Sequence, residues 1–318
     1  MRVVVTGGAG FIGSCFVRSA VAGEHPALAG AEIVVLDAFT YAGREANLAP
    51  VSGAVRVERG DVRDPARVAE VLAGADLVVH FAAETHVDRS ITGAADFVTT
   101  NVVGTQVLLQ AATDLGVARF VHVSTDEVYG SIESGSWPET HPLEPNSPYS
   151  AAKAGSDLLA RSYHRTHGLD VVVTRCSNNY GPYQFPEKVV PLFVTRLLDG
   201  HTVPLYGDGA NVRDWLHVED HCRAVALVAE RGRAGEVYNI GGGTELTNAE
   251  LTRRLLAAVG VGEDRIEHVT DRKGHDRRYS VDWSKIHDEL GWAPRVPFGP
   301  GLAATVAWYA EHRDWWAA

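Results

Sequence analysis

Two carboxylates stand side by side in STDEVYG: Asp126 and Glu127, directly behind the apolar run RFVHV. Adjacent like charges repel, and burying either one is costly unless it is paired or neutralised. The pair reads either as a polar turn that stops a strand, or as an acid and a base in two different environments. As the acid, Asp126 must hold its proton when reaction begins; burial and the charge of Glu127 both favour that. Further on, PYSAAKAGSD places Tyr149 and Lys153 four residues apart, on one face of a helix. An ammonium beside a phenol favours the phenolate, which can take a proton from a bound hydroxyl near neutral pH. Thr125, at the end of the same apolar run, can hydrogen-bond that hydroxyl. By itself Tyr-x-x-x-Lys also occurs as an ordinary surface pair.

A second constellation opens the chain. VTGGAGFIG follows an apolar run and precedes a helical stretch. Gly8, Gly10 and Gly13 fit one dinucleotide spacing; Gly7, Gly10 and Gly13 fit another. In either register small residues permit a tight turn, and backbone N–H groups at a helix N-terminus can face a pyrophosphate. Asp37 ends the second apolar run, where a ribose-binding carboxylate belongs. A carboxylate there accepts from a ribose diol and repels a 2′-phosphate, which favours NAD over NADP. Asp61, after the third run, either receives an adenine amino group or caps the helix of RDPARVAE.

These groups need a scaffold. RVVVT, EIVVLD, AVRVERGD, DLVVHFA, RFVHVS and DVVVTR are short and rich in valine or isoleucine, and most of them are apolar throughout, as strands covered on both faces are. Helical stretches fall between them, at Phe11–Ala22, Pro65–Leu72, Ala94–Leu115 and Ser150–Thr166. The alternation predicts an α/β fold, a doubly wound parallel sheet. After about Arg175 it loosens. Helices are expected at Lys188–Leu198, Val218–Ala229, Asn248–Ala258 and Gly301–His312, and EVYNIG is expected to return a strand to the sheet. The expected division is a dinucleotide-binding domain over 1–175, rejoined near 236–241, and a smaller C-terminal substrate-binding domain over 176–318.

Composition narrows the partners. The 318 residues carry a formal charge of −11, which disfavours nucleic acid and anionic membranes. A phosphorylated small molecule would need a local basic pocket. No run is apolar for the ~18 residues a membrane span needs, and MRVVVTGG does not read as a signal peptide. Cys15, Cys176 and Cys222 are scattered, which suggests reduced thiols and a cytoplasmic location.

TGGAGFIG, HFAAETHVDRS, STDEVYG, PYSAAKA and NNYGPYQFPEKVVPLF together resemble the extended short-chain dehydrogenase/reductases, and within them the dTDP-glucose 4,6-dehydratases. The similarity runs from Met1 to about Tyr279. Related 4-epimerases share the glycine loop and the Tyr/Lys pair but lack Asp-Glu after the threonine. The resemblance implies NAD as cofactor, dTDP-glucose as substrate and a homodimer. It implies hydride removal at C4, so that the ketone acidifies C5–H, then loss of water across C5 and C6, then hydride return to C6. It makes Glu127 the base at C5 and Asp126 the acid to the departing hydroxyl, with Thr125, Tyr149 and Lys153 completing the catalytic set.

The resemblance also implies two binding sets. Around the cofactor it places Gly7, Gly10, Phe11, Ile12 and Gly13, then Asp37, Ala38 and Thr40, then Asp61 and Val62. Phe81, Ala82, Ala83, Thr100 and Asn179 join them, with Tyr149 and Lys153. Around the nucleotide sugar it places Thr85, Thr125, Asn178, Glu187 and Lys188, then Pro204 and Tyr206. Arg213, Asn248, Arg272 and His275 complete that set; guanidinium forks match phosphate oxygens. Departures are small: Thr85 where serine is common, Ala38 where some relatives carry lysine, and Arg44 where asparagine is frequent.

Other features read as structural. His217 and His221 lie at helical spacing without a third metal ligand, and no metal is expected. His164 and His167 are expected to be exposed, and Trp315 and Trp316 to pack on the body. Two alternatives remain at this point: another enzyme of the same family, such as a 4-epimerase, and a non-catalytic dinucleotide sensor.

Overall fold

The computed structural model describes residues 1–317. Its strands are β1 (Arg2–Thr6), β2 (Glu32–Asp37), β3 (Arg56–Arg59), β4 (Leu77–His80), β5 (Arg119–Thr125) and β6 (Val171–Cys176), followed by β7 (Asn178–Tyr180), β8 (Val203–Tyr206), β9 (Val212–His217), β10 (Val237–Ile240), β11 (Glu245–Thr247) and β12 (Ile266–Val269). Seven of them form one sheet in the order β10-β6-β5-β4-β1-β2-β3, and every pairing in it is parallel.

The valine runs explain the layering. Val3 and Val5 point to one face, where they meet Phe16, Val225 and Trp292. Val4 points to the other, against Leu72, Leu108 and Ala160. The first face is covered by the helices Phe11–Val21 and Val218–Arg231, the second by Pro65–Leu72, Thr105–Asp114 and Pro148–His167. Full burial of such a side chain contributes roughly 1.5–3 kcal/mol, so a strand apolar on both sides is stable only inside this sandwich. The strand order reverses between β1 and β4, which opens a cleft at the carboxyl ends of the strands. EVYNIG returns as expected: β10 pairs with β6.

The remaining strands build a smaller part. β9 pairs with β7 and β11, and β8 pairs with β12. Their core gathers Tyr180, Phe193, Trp215, Leu251, Tyr309 and Trp315.

Three expectations are corrected. The stretch Ala94–Leu115 is not one α-helix: it runs as Ala94–Phe97, a π-helical Val98–Gly104 and Thr105–Asp114. Asn101, in the wide turn, accepts from the Glu84 N–H at 2.8 Å and donates to the Glu84 carbonyl at 2.9 Å, and a side chain drawn into such a bond suits a π-turn. The helix expected from Gly301 starts at Phe298, because Pro300 is tolerated in a first turn. His164 is half-buried, its Nδ1 2.9 Å from the Leu169 carbonyl oxygen; His167 is exposed as expected. Trp315 and Trp316 pack on the body.

Candidate active site

A cavity of about 720 Å³ lies in the cleft, and every residue named above as a catalytic, cofactor or substrate contact lines it. The glycine loop forms one wall. Gly7 sits at φ +68°, and a Cβ there would lie 2.6 Å from the Ala82 nitrogen; a Cβ on Gly13 would lie 2.3 Å from the Gly7 oxygen. Gly8 faces away, against Val35, so the cavity register is Gly7, Gly10, Gly13. No side chain caps the Phe11–Val21 helix, leaving its first N–H groups free for a ligand.

Asp37 closes the far end of that wall. Its carboxylate accepts from the Ala9 N–H at 2.9 Å and the Phe39 N–H at 2.8 Å, and burial pushes its pKa up. Asp61 is not the helix cap: Asp64 fills that position, accepting from the Ala66 and Arg67 N–H groups. Asp61 instead receives the Arg63 guanidinium at 2.6 Å.

The centre of the cavity is built where β5 ends. Thr125 closes β5, and a tight turn from Asp126 to Tyr129 follows, its Glu127 N–H donating to the Thr125 hydroxyl at 3.3 Å. The turn sets two adjacent carboxyls in different surroundings. Asp126 is only 3% exposed. Burial pushes its pKa well up, and the charges of Glu127 and Asp214 add to the push. Burial also raises Glu127, but Arg272, Arg213 and Lys188 work against it.

Tyr149 and Lys153 descend from the Pro148–His167 helix, whose start is fixed by Ser147 and Ser150 in a reciprocal cap. The phenol is buried, and its pKa is driven well above the ordinary value by burial, then by Glu127, Cys176 and Asp126, with the Thr125 hydroxyl opposing. In the protein alone the phenol is therefore shifted up, not down as an ammonium beside it was expected to shift it. The ammonium donates to the Val123 carbonyl at 2.8 Å, and burial lowers its pKa against the pull of Asp157.

The opposite wall is basic. Arg213 is 5% exposed and donates to the carbonyls of Val212 and Asp276 at 2.7 and 2.9 Å. Its guanidinium lies 4.2 Å from the centre of the Tyr279 ring. Arg272 pairs with Asp88 at 3.0 Å, and His275 with Asp271 at 2.6 Å. Lys188 donates to the Thr85 carbonyl at 2.6 Å, and Glu187 accepts from the Tyr41 hydroxyl at 3.1 Å. Several buried polar atoms on the lining make no hydrogen bond: Asp126 Oδ2, Asn178 Oδ1, Glu187 Oε2, Trp215 Nε1 and Arg272 Nε. Such atoms call for a polar ligand. Among the described residues no cluster of side chains has the makings of a metal site.

A model of the GDP-mannose 4,6 dehydratase family matches residues 4–305. The dTDP-glucose 4,6-dehydratase of Streptomyces antibioticus is 64% identical over 320 residues, covering 99% of this chain and 94% of that protein. Its counterpart from Actinoplanes sp. is 61% identical over 322 residues, covering 99% and 100%. The crystal structure of DesIV, a dTDP-glucose 4,6-dehydratase from Streptomyces venezuelae with NAD and TYD bound, matches with a TM-score of 0.98 at 64% identity, covering 99% of each chain. The chain belongs to the dTDP-glucose 4,6-dehydratase family.

For a dTDP-glucose 4,6-dehydratase family member, the lining holds residues that the sequence reading passed over. Tyr279 stacks on Arg213 and donates its hydroxyl to Asp276 at 2.5 Å. Asp88 holds Arg272 and receives the Tyr206 hydroxyl at 3.4 Å. Trp215 and Cys176 also line the cavity. The signal for Tyr279 and Asp276 was the charged, aromatic stretch DRKGHDRRY; Cys176 and Trp215 carried none beyond their strands.

Proposed function

We propose that this chain is an NAD-dependent dTDP-glucose 4,6-dehydratase, which converts dTDP-glucose to dTDP-4-keto-6-deoxyglucose and water. The observation that carries the reading is the Asp126–Glu127 pair, set unequally at the end of β5 in the same cavity as Tyr149 and Lys153. Residues 1–175, with the strand near 236–241, would hold the cofactor, and 176–318 mainly the nucleotide sugar.

The residues present suit the cofactor. The glycine walls admit a pyrophosphate against uncapped N–H groups, and Asp37 has lone pairs left for a ribose diol. NAD, when bound, would supply the acceptor for a hydride from C4 of the hexose and the donor of that hydride to C6. In this reading Lys153 holds the nicotinamide ribose, and Tyr149, once ionised, takes the proton of the C4 hydroxyl. Once C4 is a ketone, Glu127 removes the C5 proton. Asp126 gives its proton to the C6 hydroxyl, which leaves as water. After hydride return, Glu127 restores the proton to C5. Arg213, Arg272 and Lys188 neutralise the diphosphate.

Incubation with dTDP-glucose in D₂O tests this by proton NMR. A 4-keto product with a C6 methyl and deuterium at C5 supports the dehydratase. A sugar inverted at C4 with its C6 hydroxyl intact would make the chain an epimerase, and retained NAD without turnover would make it a sensor.

A homodimer fits the surface: Ile91, Val98, Val103 and Leu158 are 37–55% exposed on the helices Val87–Thr92, Val98–Gly104 and Pro148–His167. Light scattering on the eluting protein reads the mass directly; a monomer would remove that part of the proposal. Among the described residues no helix is long and apolar enough to cross a membrane. We infer a cytoplasmic enzyme from the cysteines, Cys15, Cys176 and Cys222, which are free thiols, as a reducing compartment keeps them.

A further inference from the structure

We infer that the Arg313–Trp316 helix is a strap that holds the glycine loop and Asp37 in their cofactor-binding positions, with Trp315 and Arg44 as positioning residues for cofactor residence. The inference rests on the proposed NAD site.

The strap acts through Asn47, which is fully buried. The Trp315 indole Nε1 donates to Asn47 Oδ1 at 3.0 Å, and Asn47 Nδ2 donates to the carbonyl of Ala9 at 2.8 Å. Ala9 stands inside the glycine loop, and its own N–H donates to Asp37 Oδ2 at 2.9 Å. Three hydrogen bonds therefore connect the indole to the ribose-side carboxylate. The direction of each is fixed. An indole N–H is a donor only, so it holds the carbonyl end of the Asn47 amide toward itself and the NH₂ end toward Ala9. Without the indole the amide can turn over. Its oxygen would then face the Ala9 oxygen, and the loop would lose a partner rather than a contact.

Arg44 fastens the same point from the other side. Its backbone N–H is a second donor to the Ala9 carbonyl, at 3.1 Å. Its guanidinium donates to the Trp315 carbonyl and lies 5.0 Å from the Trp315 ring centre. Arg18 donates to the Asn47 carbonyl at 2.7 Å while its guanidinium lies 4.0 Å from the Tyr183 ring centre, and Tyr183 packs in turn on Trp308 and Trp315. Glycine populates positive and negative φ about equally, so a loop that must keep Gly7 at φ +68° has alternatives nearby in energy, and external ties of this kind select one of them. The reaction proposed above returns the nicotinamide to its starting state, and such a cycle is served by slow cofactor release.

Trp316 supplies the control. It stands in the same helix, but its indole donates to the Tyr309 carbonyl at 2.7 Å and does not reach Asn47. The holoenzyme is loaded with radiolabelled NAD, chased with excess unlabelled NAD, and sampled by gel filtration. Trp315→Phe is expected to speed release about fivefold, the size of one net hydrogen bond, and Arg44→Ala by a similar factor. Trp316→Phe should release at the wild-type rate. Equal release from Trp315→Phe and Trp316→Phe, whether both slow or both fast, overturns the strap. Should Trp315→Phe not fold, Arg44→Ala decides: release at the wild-type rate rejects the strap. A wild-type protein that holds no NAD overturns the site reading itself, and the strap with it.

Discussion

Arg175 Nε donates to Asp157 Oδ2 at 2.8 Å, and neither side chain reaches solvent. Asp157 follows Lys153 by four residues on the same helix, and His122 Nε2 lies 3.3 Å from its other oxygen. Burial pushes the Asp157 carboxyl up, but Arg175 and His122 outweigh it and hold it at about 2. Arg175 also donates to the Tyr129 hydroxyl at 2.7 Å, and Tyr129 to Asn239 at 2.8 Å. The ion pair thus ties the catalytic helix to β6, β10 and the turn that carries Asp126.

Asp157→Asn leaves a buried guanidinium uncompensated, and should lower unfolding stability by about 3 kcal/mol, measured by urea denaturation at neutral pH. The carboxyl is depressed below its ordinary 3.8. Its contribution is therefore complete above that value and lost as pH falls toward about 2. The variant should show a shallower loss of stability across that window. A loss under ~1 kcal/mol at neutral pH would mean that the network is not a structural tie.

The rate of 4-keto product formation should be bell-shaped in pH. Glu127 must be ionised to take the C5 proton, so the rate falls as pH drops through its raised pKa. Asp126 must be protonated to release water, so the rate falls as pH rises through a pKa pushed further up. Glu127→Gln should remove the acidic limb and Asp126→Asn the alkaline one, each with a loss of about 10²-fold or more in kcat. Equal profiles for both variants would refute the division of roles.

Arg213 meets backbone carbonyls, whereas Arg272 is paired with Asp88. Arg213→Ala should weaken dTDP binding by about 10- to 100-fold, the worth of charge-assisted hydrogen bonds, as read by calorimetry on the NAD-loaded protein. An unchanged Kd would place the diphosphate elsewhere.

Gly7→Ala should abolish NAD retention, because the backbone sits at φ +68° and the new carbon would lie 2.6 Å from the Ala82 nitrogen. Gly53→Ala, where nothing lies within 4 Å, is the matched control and should bind NAD normally. NAD content after gel filtration checks both.

Much of this was legible in the chain itself. The valine runs were expected to be covered on two faces, as a parallel sheet with helices above and below covers them; AVRVERGD departs from this, because β3 lies at the sheet edge with Val57 exposed. The glycine spacing, Asp37, Tyr149 with Lys153, and Asp126 with Glu127 each have a chemistry that follows from residue type and local spacing. What lay outside that reach depended on partners distant in sequence. Gly7 and Gly8 could not be told apart until Val35 and Ala82 were in place. Asp61 and Asp64 competed for one cap until the helix start chose. The Tyr149 pKa turned on how much water reaches the phenol, which no spacing reports.

By itself the sequence determined the layered α/β architecture and the identity of the reactive groups, because backbone periodicity and side-chain chemistry are local properties. Only the tertiary structure decided which charges face one another across the cavity: Arg272 taken up by Asp88, Arg213 left to carbonyls, Trp315 reaching Asn47 from 268 residues away. Electrostatic and hydrogen-bonding energies depend on distance and burial in space, and those are set when the chain closes on itself.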